Sequence, residues 1–248
     1  HLARDDTHAA TQQRVVALQQ PAADYLRFVD RGEASQLAGW PVTHGGWWFP
    51  GGGWVDPASL CRANIARHAV AIKAHYGCQV VEIERRAGLW RAYAGGGGVI
   101  AEAPVLILAN ATDAGRFTVA AHLPLRAARG QVSHLPAAAG SAPDIVVCRL
   151  GYVTPAIDGL RCAGATFSID DGETALRTAD HAENLARLDF ILPGHAKGIQ
   201  PADLGGRVGF RPLAPDRLPM VGAVADAAAI DASQLSMPLV EMPGPHGL

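Results

Sequence analysis

The small polar residues Asn110-Ala111-Thr112-Asp113-Ala114 follow directly on the apolar run Val105-Leu106-Ile107-Leu108-Ala109. Such a run has the pattern of a strand buried on both faces of a parallel sheet, and small polar residues at the carboxyl end of that kind of strand mark where α/β proteins bind ligands. A second unusual stretch sets aromatics among glycines: Gly45-Gly46-Trp47-Trp48-Phe49-Pro50-Gly51-Gly52-Gly53-Trp54. Bulky aromatics suit strands, and neighbouring glycines permit tight turns and close backbone approach. It is therefore either a ligand-lining segment or a Gly-rich hairpin with no ligand. Cys61, Cys78, Cys148 and Cys162 form no C-x-x-C pair, so a reduced, cytoplasmic setting explains them more simply than disulfides or zinc. The ten histidines include no i, i+4 pair of the kind that places two metal ligands on one helix face. No acid–base pair stands out.

Composition narrows the classes. The chain has 248 residues, about half of them apolar, enough for one large domain or two small ones. Gly, Pro or charge interrupts every hydrophobic stretch before the roughly 18 residues of a membrane span, and residues 1–6 lack the pattern of a signal peptide. The net charge of −2 makes no general electrostatic magnet for nucleic acid. A local patch remains open, because 19 of the 21 basic residues are arginine, the better phosphate binder.

The elements that must hold these residues follow from periodicity. Residues 7–18 read as a helix, a second short helix follows Pro21 with Tyr25, Phe28 and Val29 turned inward, and residues 35–38 make a further turn stopped by Gly39. Asp56-Pro57 is a helix start. Cys61, Ile65, Ala69, Ile72 and Tyr76 then form one apolar stripe that predicts a helix as far as Gly77. Strands are expected at 80–84, 89–94 and 105–109, then antiparallel strands at 130–135, 145–155 and 160–167 with Asp158-Gly159 as a turn. A helix at 178–191 and a strand at 207–212 complete the pattern. The fold class is α/β (α+β), with two interleaved domains: 1–55 opening a substrate domain, 56–115 in a nucleotide-binding domain, 116–204 again substrate domain, and 205–248 returning to the nucleotide-binding part.

The order of motifs resembles the D-amino-acid oxidase and glycine oxidase superfamily. The motifs are Gly52-Gly53-Trp54-Val55-Asp56-Pro57, Leu108-Ala109-Asn110-Ala111, Arg129-Gly130-Gln131, Gly151-Tyr152-Val153-Thr154-Pro155, Gly164-Ala165-Thr166, and Gly209-Phe210-Arg211-Pro212 with Asp216-Arg217-Leu218-Pro219-Met220-Val221-Gly222. The wording of Phe49-Pro50, of Arg-Gly-Gln-Val-Ser-His-Leu-Pro at 129–136 and of 216–222 is similar to the flavin domain of a bifunctional tRNA-modifying family. That resemblance implies FAD as cofactor and removal of the carboxymethyl group from 5-carboxymethylaminomethyl-2-thiouridine at the tRNA wobble position. It also implies a methyltransferase domain outside this chain that uses S-adenosylmethionine, with no membrane or metal partner. The family's opening G-x-G-x-x-G unit and its closing flavin turn are expected to lie outside this sequence.

The resemblance also implies roles for individual residues. Arg211 would hold the substrate carboxylate through two bonds, unless it pairs with Asp216 in the turn. Tyr152 would add a hydroxyl donor, unless it is a packed aromatic with a wet tip. Backbone groups of Val81 would lie near the adenine of FAD and those of Asn110 and Ala111 at the strand end, while Gly52, Gly53 and Trp54 would line the flavin edge. Trp47 and Trp48 could instead be core. Arg129 and Gln131 are open between structural pairing and ligand contact, and His44 and His134 have no role. Two rivals stand: an oxidase of glycine, sarcosine or D-amino acids, and a flavin-free fragment without activity.

Overall fold

A computed structural model describes residues 1–138 and 141–224. The chain divides into two compact units: His1–Ala69 with Arg129–Gly209, and Val70–Ala128 with the described residues from Phe210 onward.

The first unit opens with helix α1 (Asp6–Gln19), capped by the Asp5 carboxylate, which accepts from His8 N. The helix expected after Pro21 does not form. Instead Tyr25 N and Leu26 N both bond to Ala22 O, and the chain enters strand β1 (Arg27–Val29), which pairs with β2 (Gly46–Trp48). The pairing of Arg27, Phe28 and Val29 with Trp48, Trp47 and Gly46 satisfies their backbone in place of a weakly periodic helix. Val29 is buried as expected, whereas Tyr25 is exposed. Between the strands, α2 (Arg31–Ala38) starts at the Asp30 cap and ends at Gly39 in the left-handed conformation.

Helix α3 (Pro57–Arg67) begins where Asp56-Pro57 requires, with the Asp56 carboxylate accepting from Ser59 N at 2.6 Å. It stops ten residues before Gly77, and none of its residues is buried. The apolar stripe has no described surface to pack on, and a helix held only by local propensity is marginal in water.

A six-stranded sheet, antiparallel from β6 to β7, forms the centre of the first unit, in the order β10 (Ser168–Ile169), β6 (Arg126–Pro136), β9 (Leu160–Gly164), β8 (Tyr152–Val153) and β7 (Val147–Cys148), with β11 (Gly205–Leu213) also on β6. The single strand expected at 145–155 is instead the short hairpin β7–β8, turned at Leu150-Gly151. Asp158-Gly159 makes the expected turn, with both residues at positive φ, 50° and 74°. Helix α4 (Thr178–Ile191) packs on one face of the sheet. Leu185, Leu188 and Ile191 join Leu135, Val147, Val153 and Ala163 in the core, with Val29, Ala34, Ala38 and Val42 from the N-terminal segment.

The second unit is built on an antiparallel meander of β3 (Val80–Arg86), β4 (Leu89–Ala94) and β5 (Val99–Ala103). Arg91 and Glu102 form an ion pair across it, and Tyr93 donates to Glu84 at 2.9 Å. Residues 105–109 do not form the buried parallel strand that their composition predicts. They are extended without strand pairing, and Val105 and Ile107 are 71% and 81% exposed. A central parallel strand needs a neighbour on each side, and none is present among the described residues. Residues 225–248, including the patternless C-terminal stretch, lie outside the described residues.

Candidate functional site

Antiparallel partners share a face, so the register decides which side chains of the first unit stand together. Tyr152 is opposite Cys148 on one side and Gly164 on the other, and Cys162, two residues before Gly164, is opposite His134. Tyr152, Cys148, Cys162 and His134 therefore occupy one face, all half-buried. Ser133, Leu135, Val147, Val153, Arg161 and Ala163 alternate onto the other face and are buried.

The buried face explains the Arg-Gly-Gln-Val-Ser wording. Arg129, fully buried, binds Asp180 of α4 at 2.5 Å and donates to Glu173 O and Ala175 O at 2.7 and 2.8 Å. Gln131 donates to Arg177 O and accepts from Arg177 N, both at 2.9 Å, so its amide closes on the backbone just before α4. The Ser133 hydroxyl meets His181 Nδ1 at 2.7 Å, and Asn184 donates to Gln131 O and to Ser133 Oγ. Arg129 and Gln131 thus tie the sheet to α4, which settles their open reading in favour of structural pairing. Burial lowers the His181 pKa and keeps its ring neutral inside this network.

The half-open face has different chemistry. Burial first, and the neighbouring Cys162 and Cys148 second, push the Tyr152 hydroxyl above its ordinary value, so it remains a protonated donor. Burial likewise raises both thiols, which stay neutral and weakly nucleophilic. Gly164 has a packing reason: a Cβ there would lie 2.8 Å from Val132 Cγ1.

In the same unit, Gly52 N bonds to Phe49 O in a turn, and Gly52, Gly53 and Trp54 are exposed, Trp54 at 40%. Trp48 packs against the core, and the Trp47 indole donates to Gln12 O at 2.9 Å, so this pair is structural.

Val81, Asn110, Ala111 and Arg211 belong to the second unit. Val81 and Asn110 line one cleft of about 470 Å³, together with Asp113 and Arg116. A cleft of about 820 Å³ shares residues 106–109 as a wall and is completed by Arg85, Trp90 and residues 220–224. Ala111, at φ 55°, lines a third with Leu125 and Pro212. Arg211 is exposed, and among the described residues it makes no ion pair; the Asp216 carboxylate instead accepts from Leu218 N at 2.9 Å. The sequence-derived site residues are therefore split, Gly52, Gly53, Trp54 and Tyr152 in one unit and the other four in the second. Nothing in the sequence assigned His134, although the period-two alternation of Arg129, Gln131, Ser133 and Leu135 already puts it on the face opposite the buried network.

A family model for FAD-dependent oxidoreductases of the DAO type matches residues 1–235. The chain belongs to this FAD-dependent oxidoreductase family. Two curated relatives are the tRNA 5-methylaminomethyl-2-thiouridine biosynthesis bifunctional proteins MnmC of Aromatoleum aromaticum, 56% identical, and of Azoarcus sp., 49% identical. Both alignments cover all of this chain and 38% of the relative, so the chain spans about two fifths of their length. Among solved structures, glycine oxidase from Geobacillus kaustophilus superposes with a TM-score of 0.73 at 19% identity, over 89% of this chain and 60% of its own. L-proline dehydrogenase from P. horikoshii gives 0.71 at 16%, over 90% and 62%. These likenesses establish the FAD-dependent oxidoreductase fold.

The second unit fits an FAD-dependent oxidoreductase. Its clefts are mainly apolar, carry a few polar groups, and at about 470 and 820 Å³ fall in the size range of cofactor sites, about 300–1,000 Å³. Among the described residues no group of three or more His, Cys, Asp or Glu could hold a metal ion, and no helix is long and apolar enough to cross a membrane.

Proposed function

We propose that this chain is the oxidoreductase part of a bifunctional tRNA-modifying enzyme. It would remove the carboxymethyl group from 5-carboxymethylaminomethyl-2-thiouridine at the wobble position, leaving 5-aminomethyl-2-thiouridine and glyoxylate. The observation that carries this reading is 56% identity over all 248 residues to a relative named for that pathway and for two functions. The partners are the tRNA and a methyltransferase domain, and the compartment is the cytoplasm, where tRNA is modified. Segments 1–55 and 116–204 form the substrate domain, and 56–115 with 205–248 the cofactor domain.

When bound, FAD would supply the two-electron oxidation of the carbon between the substrate amine and its carboxylate. The chain's own residues bind and orient. Arg211, with no carboxylate partner of its own among the described residues, holds the substrate acid through its planar fork of donors. Tyr152 donates its hydroxyl, which burial keeps protonated, to the substrate. Val81, Asn110 and Ala111 would hold the cofactor through backbone groups, and Gly52, Gly53 and Trp54 would be residues of its flavin end. Binding the amine in its neutral form removes the need for a dedicated base, in keeping with a half-open face that offers a neutral phenol and two neutral thiols. Water then hydrolyses the imine left on the substrate, releasing glyoxylate.

Glyoxylate assay of the FAD-loaded protein tests this. Release from tRNA bearing the carboxymethylaminomethyl group, and none from glycine, sarcosine or D-amino acids, is the expected outcome. Turnover of the free amino acids alone would assign a different substrate.

A further inference from the structure

His134 is a polar residue of the half-open sheet face to which the proposed chemistry gives no task. It stands opposite Cys162 on β9, one strand beyond the strand that carries Tyr152's partner Gly164. Its ring is half-buried and, among the described residues, makes no side-chain hydrogen bond, although Ser133 and Leu135 on either side are fully committed to the buried face. The ring takes no part in the hydrogen-bonded network of Ser133, His181 and Asn184.

Register fixes how far His134 stands from Tyr152. Two strand spacings of about 4.8 Å, combined with a slide of two residues at about 3.4 Å each, put their Cα atoms about 12 Å apart. The proposed substrate is elongated. Its acid end is joined to the pyrimidine by a CH2–NH–CH2 arm, four single bonds of about 1.5 Å that project to about 5 Å. With the acid end at the Tyr152 hydroxyl, the arm and ring reach along the face towards β6. Side chains rising from both ends close the remaining gap.

We propose that His134 is a specificity-determining residue that holds the pyrimidine of the substrate, stacking on it or hydrogen-bonding to its edge. The inference rests on the tRNA reading above. Imidazole is suited to this: its face stacks on a base as other aromatic rings do, and its two nitrogens offer one donor and one acceptor in the neutral form. The residue selects for a base-bearing substrate and takes no part in oxidising the arm, so its loss separates two substrate classes that a merely structural residue would affect alike.

The test compares the FAD-loaded protein with its His134→Ala and His134→Gln variants on two ligands. One is an anticodon stem-loop carrying the modified uridine. The other is N-ethylglycine, which has the acid and the amine but no base, used as a competitive inhibitor. His134→Ala is expected to weaken kcat/KM for the stem-loop by about 5- to 150-fold, the range of a lost base–aromatic contact, mainly through KM. Competitive inhibition by N-ethylglycine should be unchanged. Stem-loop binding, followed by fluorescence anisotropy, should fall in parallel, and His134→Gln should recover part of it. Equal losses on both ligands, or no loss on either, would overturn the assignment. A wild-type protein that oxidises N-ethylglycine but never the stem-loop would instead bring down the tRNA reading, and this inference with it.

Discussion

The two units of this chain bury their residues in opposite ways. In the first, a continuous core runs from Leu2 and Val29 through Leu135 and Val153 to Leu188 and Ile191, and the buried Arg129 and Ser133 have partners on α4. In the second, the buried hydrophobics are Ala114, Ala120, Ala128 and Ala214, while Val105, Ile107 and Val221 stand in solvent. The first unit covers its own apolar residues. The second presents apolar walls, at 106–109 and 220–224, to clefts large enough for a cofactor. One unit is closed over its own core, whereas the other leaves apolar surface lining open clefts.

The largest effect should come from Arg129→Ala, which leaves Asp180 charged and buried without its partner. Urea unfolding should show a loss of about 3–5 kcal/mol, and an unchanged midpoint would mean that the sheet–α4 network is not what closes the first unit. Arg211→Ala, acting on the open unit, should lower kcat/KM for the modified tRNA by about 10- to 150-fold, the worth of a hydrogen bond to a charged group, while leaving thermal stability unchanged. Gly164→Ala should cost about 1–3 kcal/mol of stability, because the new methyl meets Val132; calorimetry would read it as a lowered Tm.

The pH response should be smaller. His181 has its folded pKa below the ordinary 6.5 because burial disfavours its charge. Its stabilising influence is therefore fully present above pH 6.5 and is lost as the pH falls below that value towards the folded pKa. A profile of Tm against pH should show this decline in the wild type and a shallower one in His181→Gln; identical profiles would remove His181 from the network. Ile107→Ser should be nearly silent in this chain, within about 0.5 kcal/mol, since its side chain is exposed; a large loss would contradict the contrast between the units.

What the sequence revealed follows the same division. The helix at 178–191 was legible to the residue because its apolar positions have a sheet to pack on, and Asp56-Pro57 marked a start that local capping alone fixes. The continuation to Gly77 and the strand at 105–109 were misread for one reason. Both patterns describe surfaces that need a covering layer, and no described residue supplies it. For the site, motif wording is what singled out Arg211 and Tyr152, whose roles are proposals. His134 was not singled out, because the residue it faces on β9 is a matter of register rather than of sequence spacing.

The central claim, that flavin chemistry acts on the modified wobble uridine, is tested most directly by mixing the FAD-loaded protein with that tRNA under anaerobic conditions and following the visible flavin absorbance. Rapid bleaching by the carboxymethylaminomethyl tRNA, and none by tRNA lacking the group, is the result this account predicts. Flavin that stays oxidised with the modified tRNA but bleaches with a free amino acid would contradict it.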